Sequence, residues 1–125
     1  MAKKQTVLVI EDEPHLVEEL VVALVAEGFQ VKTASDGETG LKLFRKELPN
    51  VVILDLILPK VDGFQILEQV KKDPKTAPIP VIVLSNLETS ESIERAVRLG
   101  ASSYLVKPNY ELKHIVEKVK NAVRT

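Results

Sequence analysis

The sequence has no cysteine, no tryptophan and few aromatic residues, which make up 4% of its 125 positions. The absence of cysteine excludes disulfide bonds and thiolate chemistry and favours a reducing compartment. The scarcity of aromatic rings gives little support to stacking on flavins or nucleobases. A formal net charge of −1 gives no general attraction to nucleic acid or to anionic lipid.

Long hydrophobic runs and a signal peptide are also missing. No stretch approaches the ~20 apolar residues that a membrane-spanning helix needs. The acidic residues Glu11, Asp12 and Glu13 follow the N-terminal lysines too closely for a signal peptide. We therefore expect a cytoplasmic chain with no membrane partner and no direct binding to nucleic acid.

What the sequence does contain is an alternation of five apolar runs with five amphipathic segments. The predicted strands cover residues 6–10, 29–34, 51–55, 80–84 and 103–106. Apolar runs without a polar break are typical of strands buried on both faces. Strands alternating with amphipathic helices predict an α/β fold, with a doubly wound five-stranded parallel sheet and five helices. The length predicts one domain, residues 1–125, with a self-sufficient core.

Capping residues and glycines predict where the helices begin and end. Gly28 is expected to end the first helix, and Ser35 has capping-box spacing to Glu38 at the start of the second. The expected apolar face of the second helix consists of Leu41, Phe44 and Leu48. Thr89 or Ser90 is expected to cap the fourth helix, whose periodic apolar residues are Ile93, Ala96, Val97 and Leu99. Asn109 is expected to cap the fifth.

Polar residues follow four of the strands at their carboxyl ends, where open parallel sheets bind ligands. These residues are Glu11 and Asp12, Asp55, Ser85 and Lys107. Two carboxylates ~4 Å apart repel by roughly 4 kcal/mol at an effective dielectric constant of 20, which calls for a cation. Oxygen ligands without histidine or cysteine favour Mg²⁺, with Mn²⁺ possible, over zinc. Acidic ligands, a hydroxyl and an ammonium around one carboxylate predict a phosphoryl-transfer site.

Each of these residues also has a simpler interpretation. Asp12 and Ser85 could be helix caps, Asp55 could cap its own turn, Lys107 could be a solvated strand end, and Glu11 and Glu13 could be a solvated charge run. Taken alone, Asp12 and Ser85 are more often caps. The phosphoryl-transfer hypothesis is preferred because it explains four strand ends together.

The chain closely resembles the receiver domain of two-component response regulators over essentially its whole length. The matching pieces are Val7 to Asp12 with the acidic pair, Asp55 to Pro59 followed by Asp62-Gly63, Ser85, Gly100-Ala101, Tyr104 and Lys107-Pro108. Each piece is weak alone, and together they are highly specific. The resemblance implies the flavodoxin-like strand order 2-1-3-4-5.

The resemblance also implies roles for individual residues. Asp55 would be the phosphoacceptor, and Asp12, Asp55 and the backbone carbonyl of Ile57 would ligate Mg²⁺, with help from Glu11. Ser85 and Lys107 would contact the phosphoryl group.

The resemblance further implies a conformational switch rather than an enzyme. Tyr104 would move inward when Ser85 is drawn to the phosphoryl group, and the bond between Lys107 and Pro108 would be cis. Phosphorylation would then change the surface formed by the fourth helix, the fifth strand and the fifth helix. The donor would be a histidine kinase or a phosphotransfer protein of a phosphorelay, and the target would be a protein that the sequence does not identify.

Some positions depart from the usual pattern of that family. Asn86 stands where a small residue is common, which bears on the lifetime of the phosphoryl group. Ser102 and Ser103 replace acidic residues that many DNA-binding regulators use in dimers, and Asn109 replaces a bulky apolar residue. No output domain is expected after Thr125.

Three other functions compete with this one. A haloacid-dehalogenase-like phosphatase would need a second aspartate two residues after Asp55, where the chain has Ile57. A flavodoxin-like nucleotide carrier would need a phosphate-binding loop after the first strand, where Glu11, Asp12 and Glu13 would repel phosphate. A receiver-like protein that no longer accepts phosphate is the third, and the complete set of site residues argues against it.

Overall fold

The computed structural model describes residues 4–107 and 111–123, which form five strands and five helices in strict alternation. The strands are β1 (Thr6–Ile10), β2 (Gln30–Ala34), β3 (Val51–Leu54), β4 (Val81–Ser85) and β5 (Ser103–Val106). The helices are α1 (Pro14–Ala26), α2 (Gly37–Glu47), α3 (Gly63–Lys72), α4 (Ser90–Arg98) and α5 (Leu112–Val123). The predicted α/β class and the number of elements are confirmed.

The five strands form one parallel sheet in the order β2-β1-β3-β4-β5. This is the doubly wound order that the family resemblance implies. The winding reverses between β1 and β3, where Ile10 lies opposite Leu54 in the ladder. The carboxyl ends of these two strands therefore lie side by side at the point where such sheets bind ligands.

Both faces of the sheet are covered, which explains why the strands are apolar without a polar break. Leu8 and Ile10 belong to the cluster under α2, α3 and α4, whereas Val7 and Val9 belong to the cluster under α1 and α5. All four side chains are fully buried. Successive residues of a strand point to opposite faces, so a strand covered on both sides needs apolar residues at every position.

The helix ends confirm some of the sequence predictions and correct others. Gly28 has a φ of +92° just after α1, as expected for a residue that ends a helix in the left-handed region. Asp36, not Ser35, caps α2, because its carboxylate accepts a hydrogen bond from the Thr39 backbone N–H at 2.8 Å. The expectation for α4 holds at Thr89, whose hydroxyl accepts from the Ser92 N–H at 3.2 Å.

Two residues expected on apolar helix faces lie at the surface instead. Leu48 is 48% exposed, because it ends α2 in the left-handed conformation and its side chain leaves the face of the helix. Val97 is 56% exposed, and within α4 only Ala96 is buried. Among the helices of the described ranges, none is long and apolar enough to cross a bilayer.

Candidate phosphoryl-transfer site

Two carboxylates are brought together by the hydrogen-bond ladder where it runs on past the ends of the strands. The Glu11 N–H donates to the Ala34 carbonyl at 2.9 Å, and the Asp55 N–H donates to the Ile10 carbonyl at 3.0 Å. Both side chains are buried, with 1% of Glu11 and 4% of Asp55 exposed. Asp12 follows Glu11 and is exposed to solvent. The predicted meeting of these residues at one edge of the sheet is confirmed.

Lys107 reaches this pair from the end of β5. Its ammonium Nζ lies 2.9 Å from Glu11 Oε1 and 3.0 Å from Asp55 Oδ2. A longer contact of 3.6 Å joins the same Nζ to Glu13. The side chain is 8% exposed, so Lys107 is a buried counter-ion and not a solvated strand end. A buried carboxylate pair needs such a partner, because two unpaired charges out of water would cost several kcal/mol each.

The electrostatics of the cluster follow from burial and crowding. Burial, with a smaller contribution from the Asp55 charge, raises the pKa of Glu11 from 4.5 to about 7, although the hydrogen bond from Lys107 opposes the rise. Burial alone would lower the pKa of Lys107, but its hydrogen bonds to Glu11 and Asp55 raise it overall. The ammonium therefore stays charged, and the crowded carboxylates favour a further cation or a proton.

The carboxylate cluster has the chemistry of a site for a hard cation. Oxygen atoms of Glu11, Asp12 and Asp55 lie within 4.8 Å of one another. The backbone N–H of Ile57 donates to Asp55 Oδ1 at 3.2 Å, and Ile57 itself is 57% exposed. Carboxylates and a nearby backbone carbonyl are the ligands that Mg²⁺ and Mn²⁺ prefer, so the residues present fit such an ion.

Ser85 and Tyr104 are linked through one residue of the loop between β4 and α4. The hydroxyl of the fully buried Ser85 accepts a hydrogen bond from the Leu87 N–H at 3.1 Å. The hydroxyl of the partly buried Tyr104 donates to the Leu87 carbonyl at 2.6 Å. Burial raises the pKa of the Tyr104 phenol. The N–H and the carbonyl of Leu87 thus form hydrogen bonds with the hydroxyls of Ser85 and Tyr104, respectively.

The structure also tests the simpler interpretations of these residues. Glu13, not Asp12, occupies the cap position of α1, and no side chain caps that helix. Ser85 lies inside β4, and α4 is capped by Thr89. Asp55 does cap its own turn through the Ile57 N–H, but it pairs with Lys107 as well. The interpretation as a solvated charge run fits Glu13, whose side chain is 57% exposed, but not the buried Glu11.

The sequence did not predict the role of Leu87, and two sequence predictions fall on residues that the structure does not describe. Leu87 acts through its backbone, and the only available signal was a serine two residues earlier, a spacing at which hydroxyls often bind backbone N–H groups. The predicted cis bond at Pro108 and the cap at Asn109 lie outside the described residues.

Comparison with known proteins agrees with this geometry. Residues 7–120 match the family model described as the response regulator receiver domain. The chain is 36% identical to a probable transcriptional regulator, ycf27, of Guillardia theta over 97% of this chain and 46% of that protein. The chain thus spans about half the length of the curated relatives that it matches.

Solved structures with the same fold include two informative states. The phosphorylated cyanobacterial phytochrome response regulator RcpA superposes with a TM-score of 0.80 at 26% identity, over 95% of this chain and 91% of that chain. The Mn²⁺-bound form of the response regulator Rcp1 superposes with a TM-score of 0.80 at 25% identity, over 94% of this chain and 90% of that chain. With a family model matched over residues 7–120 and the same architecture, the chain belongs to the response regulator receiver domain family.

Proposed function

We propose that this chain is a phosphorylation-activated switch that accepts a phosphoryl group on Asp55. The observation that carries the proposal is the contact of 3.0 Å between Lys107 Nζ and Asp55 Oδ2, beside the carboxylates of Glu11 and Asp12. One carboxylate is held between an ammonium and an acidic cluster at the edge of a parallel sheet. That arrangement suits a nucleophile whose product carries more negative charge than the starting carboxylate.

Each site residue has a role in the transfer. An oxygen of Asp55 attacks the phosphorus of a phosphohistidine, so that a phosphorus–oxygen bond forms and the phosphorus–nitrogen bond breaks. The bonding electron pair leaves with the imidazole of the donor. Lys107 holds oxygens of the transferred group through its charge, and the Ser85 hydroxyl donates to one of them after transfer.

A divalent cation completes the site in this proposal. The carboxylates of Glu11, Asp12 and Asp55, together with the backbone carbonyl of Ile57, would hold Mg²⁺, or Mn²⁺ in its place. When bound, such an ion neutralises charge on the phosphoryl oxygens. The Mn²⁺-bound state of Rcp1 supports this assignment, since that protein shares the fold of this chain.

The partners follow from the same chemistry. The donor would be a histidine kinase or a phosphotransfer protein in the cytoplasm, and the chain would not be an enzyme in its own right. We assign residues 1–125 to one receiver domain whose output is a contact with a protein target, not with nucleic acid or a membrane. Output would pass from Ser85 through Leu87 and Tyr104 to the surface made by α4, β5 and α5.

The test is labelling with a small acyl phosphate and Mg²⁺, followed by intact mass. We expect one phosphoryl group on the wild type and none on Asp55→Asn, because an amide is nearly isosteric but does not act as the nucleophile. Asp62→Asn is the matched control, because asparagine caps α3 as well as aspartate does and Asp62 lies outside the cluster. It should label like the wild type.

Two outcomes would contradict the proposal. Labelling of Asp55→Asn at an unchanged rate would move the acceptor to another residue. A folded wild type that gains no phosphoryl group would indicate a receiver fold that has lost the reaction.

A haloacid-dehalogenase-like phosphatase is not supported, because the position two residues after Asp55 holds the exposed side chain of Ile57 and not a second carboxylate.

A further inference from the structure

The loop between β3 and α3 is closed at two places. At its base, the Gly63 N–H donates to the Leu56 carbonyl at 2.8 Å. Toward its tip, the Pro59 carbonyl accepts from the Val61 N–H at 2.9 Å and from the Gly37 N–H at 3.0 Å. Lys60, between Pro59 and Val61, has a φ of +71°. The second closure is a contact with another element, since Gly37 is the first residue of α2.

This contact depends on the absence of a side chain at Gly37. A Cβ placed there would overlap the carbonyl group of Val61 and would lie 2.9 Å from the Val61 Cβ. The overlap is with backbone, so it could be relieved only by moving the loop or the helix. Gly37 is buried, and its N–H at the start of a helix has no partner within the helix. The Pro59 carbonyl supplies that partner.

The loop seated in this way is the one that forms the rim of the acidic cluster. Asp55 stands at its start, and Ile57 lies two residues before Pro59. The Ile57 N–H already binds Asp55 Oδ1 at 3.2 Å, so a shift of the loop would change the orientation of that carboxylate. Backbone and side-chain groups that orient metal ligands typically change metal affinity about 10-fold to 100-fold when altered.

We propose that Gly37 is a positioning residue for the phosphoryl-transfer site. By admitting the β3–α3 loop against the first turn of α2, it fixes Asp55 and Ile57 in the geometry that binds the divalent cation. The inference rests on the proposed function, because it takes Asp55 and Ile57 as ligands. It assigns to α2, which contributes no ligand, a part in the affinity of the site.

The coupling must work in both directions. If a seated loop binds the cation more tightly than a displaced loop, the bound cation must favour the seated loop by the same factor. The Gly37 amide reports whether the β3–α3 loop is in contact with α2, since its hydrogen bond to the Pro59 carbonyl exists only when that contact is made. The Gly40 amide, which donates to the Asp36 carbonyl at 3.0 Å in the same turn, reports on the helix alone.

The first experiment compares Gly37→Ala with Gly40→Ala by calorimetric titration with Mg²⁺. Both variants add one methyl group to α2, but the atoms nearest to the Gly40 methyl would be side-chain atoms of Ile10, at 2.7 Å and 2.9 Å, and not backbone atoms. Both should lose stability in thermal melts. We expect Gly37→Ala to bind Mg²⁺ at least about 10-fold more weakly, and Gly40→Ala to bind it like the wild type.

The second experiment uses the wild type, so it does not depend on a variant that folds. Amide hydrogen exchange is measured with and without saturating Mg²⁺, and we expect slower exchange at Gly37 and unchanged exchange at Gly40. Unchanged exchange at Gly37, or equal loss of Mg²⁺ affinity in both variants, would overturn the inference. Neither result would affect the labelling of Asp55, whereas a wild type that binds Mg²⁺ but takes no phosphoryl group would contradict the proposed function alone.

Discussion

At the scale of single residues, Glu11 differs from its neighbours in sequence in its burial. Asp12 and Glu13 are exposed, whereas Glu11 is buried against Lys107 with a pKa raised from 4.5 to about 7. Between these two values the folded protein keeps a proton that the unfolded chain has released. The stability that Glu11 contributes is therefore fully present below about pH 4.5 and is lost as the pH rises through about 7.

This linkage predicts a pH dependence of the metal-free protein. In EDTA, the free energy of unfolding of the wild type should fall between about pH 5 and about pH 8, by up to about 3 kcal/mol from this group. Glu11→Gln should show a smaller fall, because glutamine does not titrate. Chemical denaturation at the two pH values measures the free energy of unfolding of both proteins. Equal slopes for wild type and variant would mean that Glu11 has an ordinary pKa.

The residue scale also shows how far the sequence predicts a site. Glu11, Asp55 and Lys107 were expected to meet because the carboxyl ends of parallel strands share one edge, and they do meet. Their burial was not predictable, because it depends on helices packed around them, and Glu11 and Lys107 are 96 positions apart in the chain. Backbone partners such as Leu87 and Pro59 leave almost no mark on a sequence, since any residue supplies a carbonyl.

At the scale of elements, α4 is the helix with the fewest buried residues. Ala96 is its one buried side chain, and Arg95 lies over the ring of Phe64 in α3, with 4.1 Å from its guanidinium carbon to the ring centre. Its first turn follows the loop in which Leu87 holds Ser85 and Tyr104. A helix with so little buried apolar surface is a suitable element for a small conformational change.

We predict that phosphorylation shifts this element through Ser85. Drawing the Ser85 hydroxyl to the phosphoryl oxygens removes its hydrogen bond to the Leu87 N–H, and Tyr104 follows through the Leu87 carbonyl. Amide shifts across α4, β5 and α5 should therefore change with a beryllofluoride mimic in the wild type. Ser85→Ala should accept the mimic but show a reduced change. A full wild-type pattern in Ser85→Ala would remove Ser85 from the pathway.

Elements also explain which sequence predictions failed. All ten elements were expected, because apolar periods and caps are local features of the chain. The exposed positions of Leu48 and Val97 were not, because helical periodicity does not tell how much of a face a neighbouring element covers. In α4, the apolar stripe is wider than the surface that receives it, and Val97 stays exposed.

At the scale of the whole molecule, the acidic cluster lowers the stability of the metal-free fold and at the same time forms a binding site for a cation. Three carboxylates have oxygen atoms within 4.8 Å of one another, and one ammonium serves two of them. The metal-free fold carries this repulsion, and a ligand that binds only the folded state relieves it. The resulting stabilisation is RT ln(1 + [L]/Kd), about 2.7 kcal/mol when the ligand stands at 100 times Kd.

We therefore predict that millimolar Mg²⁺ raises the midpoint of thermal unfolding of the wild type by a few degrees, since about 1 kcal/mol corresponds to roughly 4 °C in a domain of this size. Asp12→Ala should lose the response, because it removes one of the three carboxylates that would hold the ion. Its metal-free midpoint should equal or exceed that of the wild type, since one repelling charge is gone. Melts with Mg²⁺ and with EDTA measure both effects.

Glu13→Gln provides the matched control for this experiment. Glu13 is a neighbouring carboxylate whose oxygen lies 3.6 Å from Lys107 Nζ, yet it does not belong to the group of three that can share a cation. This variant changes the net charge as Asp12→Ala does, so general screening by Mg²⁺ would affect the two variants alike. A response kept by Glu13→Gln and lost by Asp12→Ala would locate the ion at the carboxyl ends of β1 and β3. Equal responses in all three proteins would place it elsewhere on the surface.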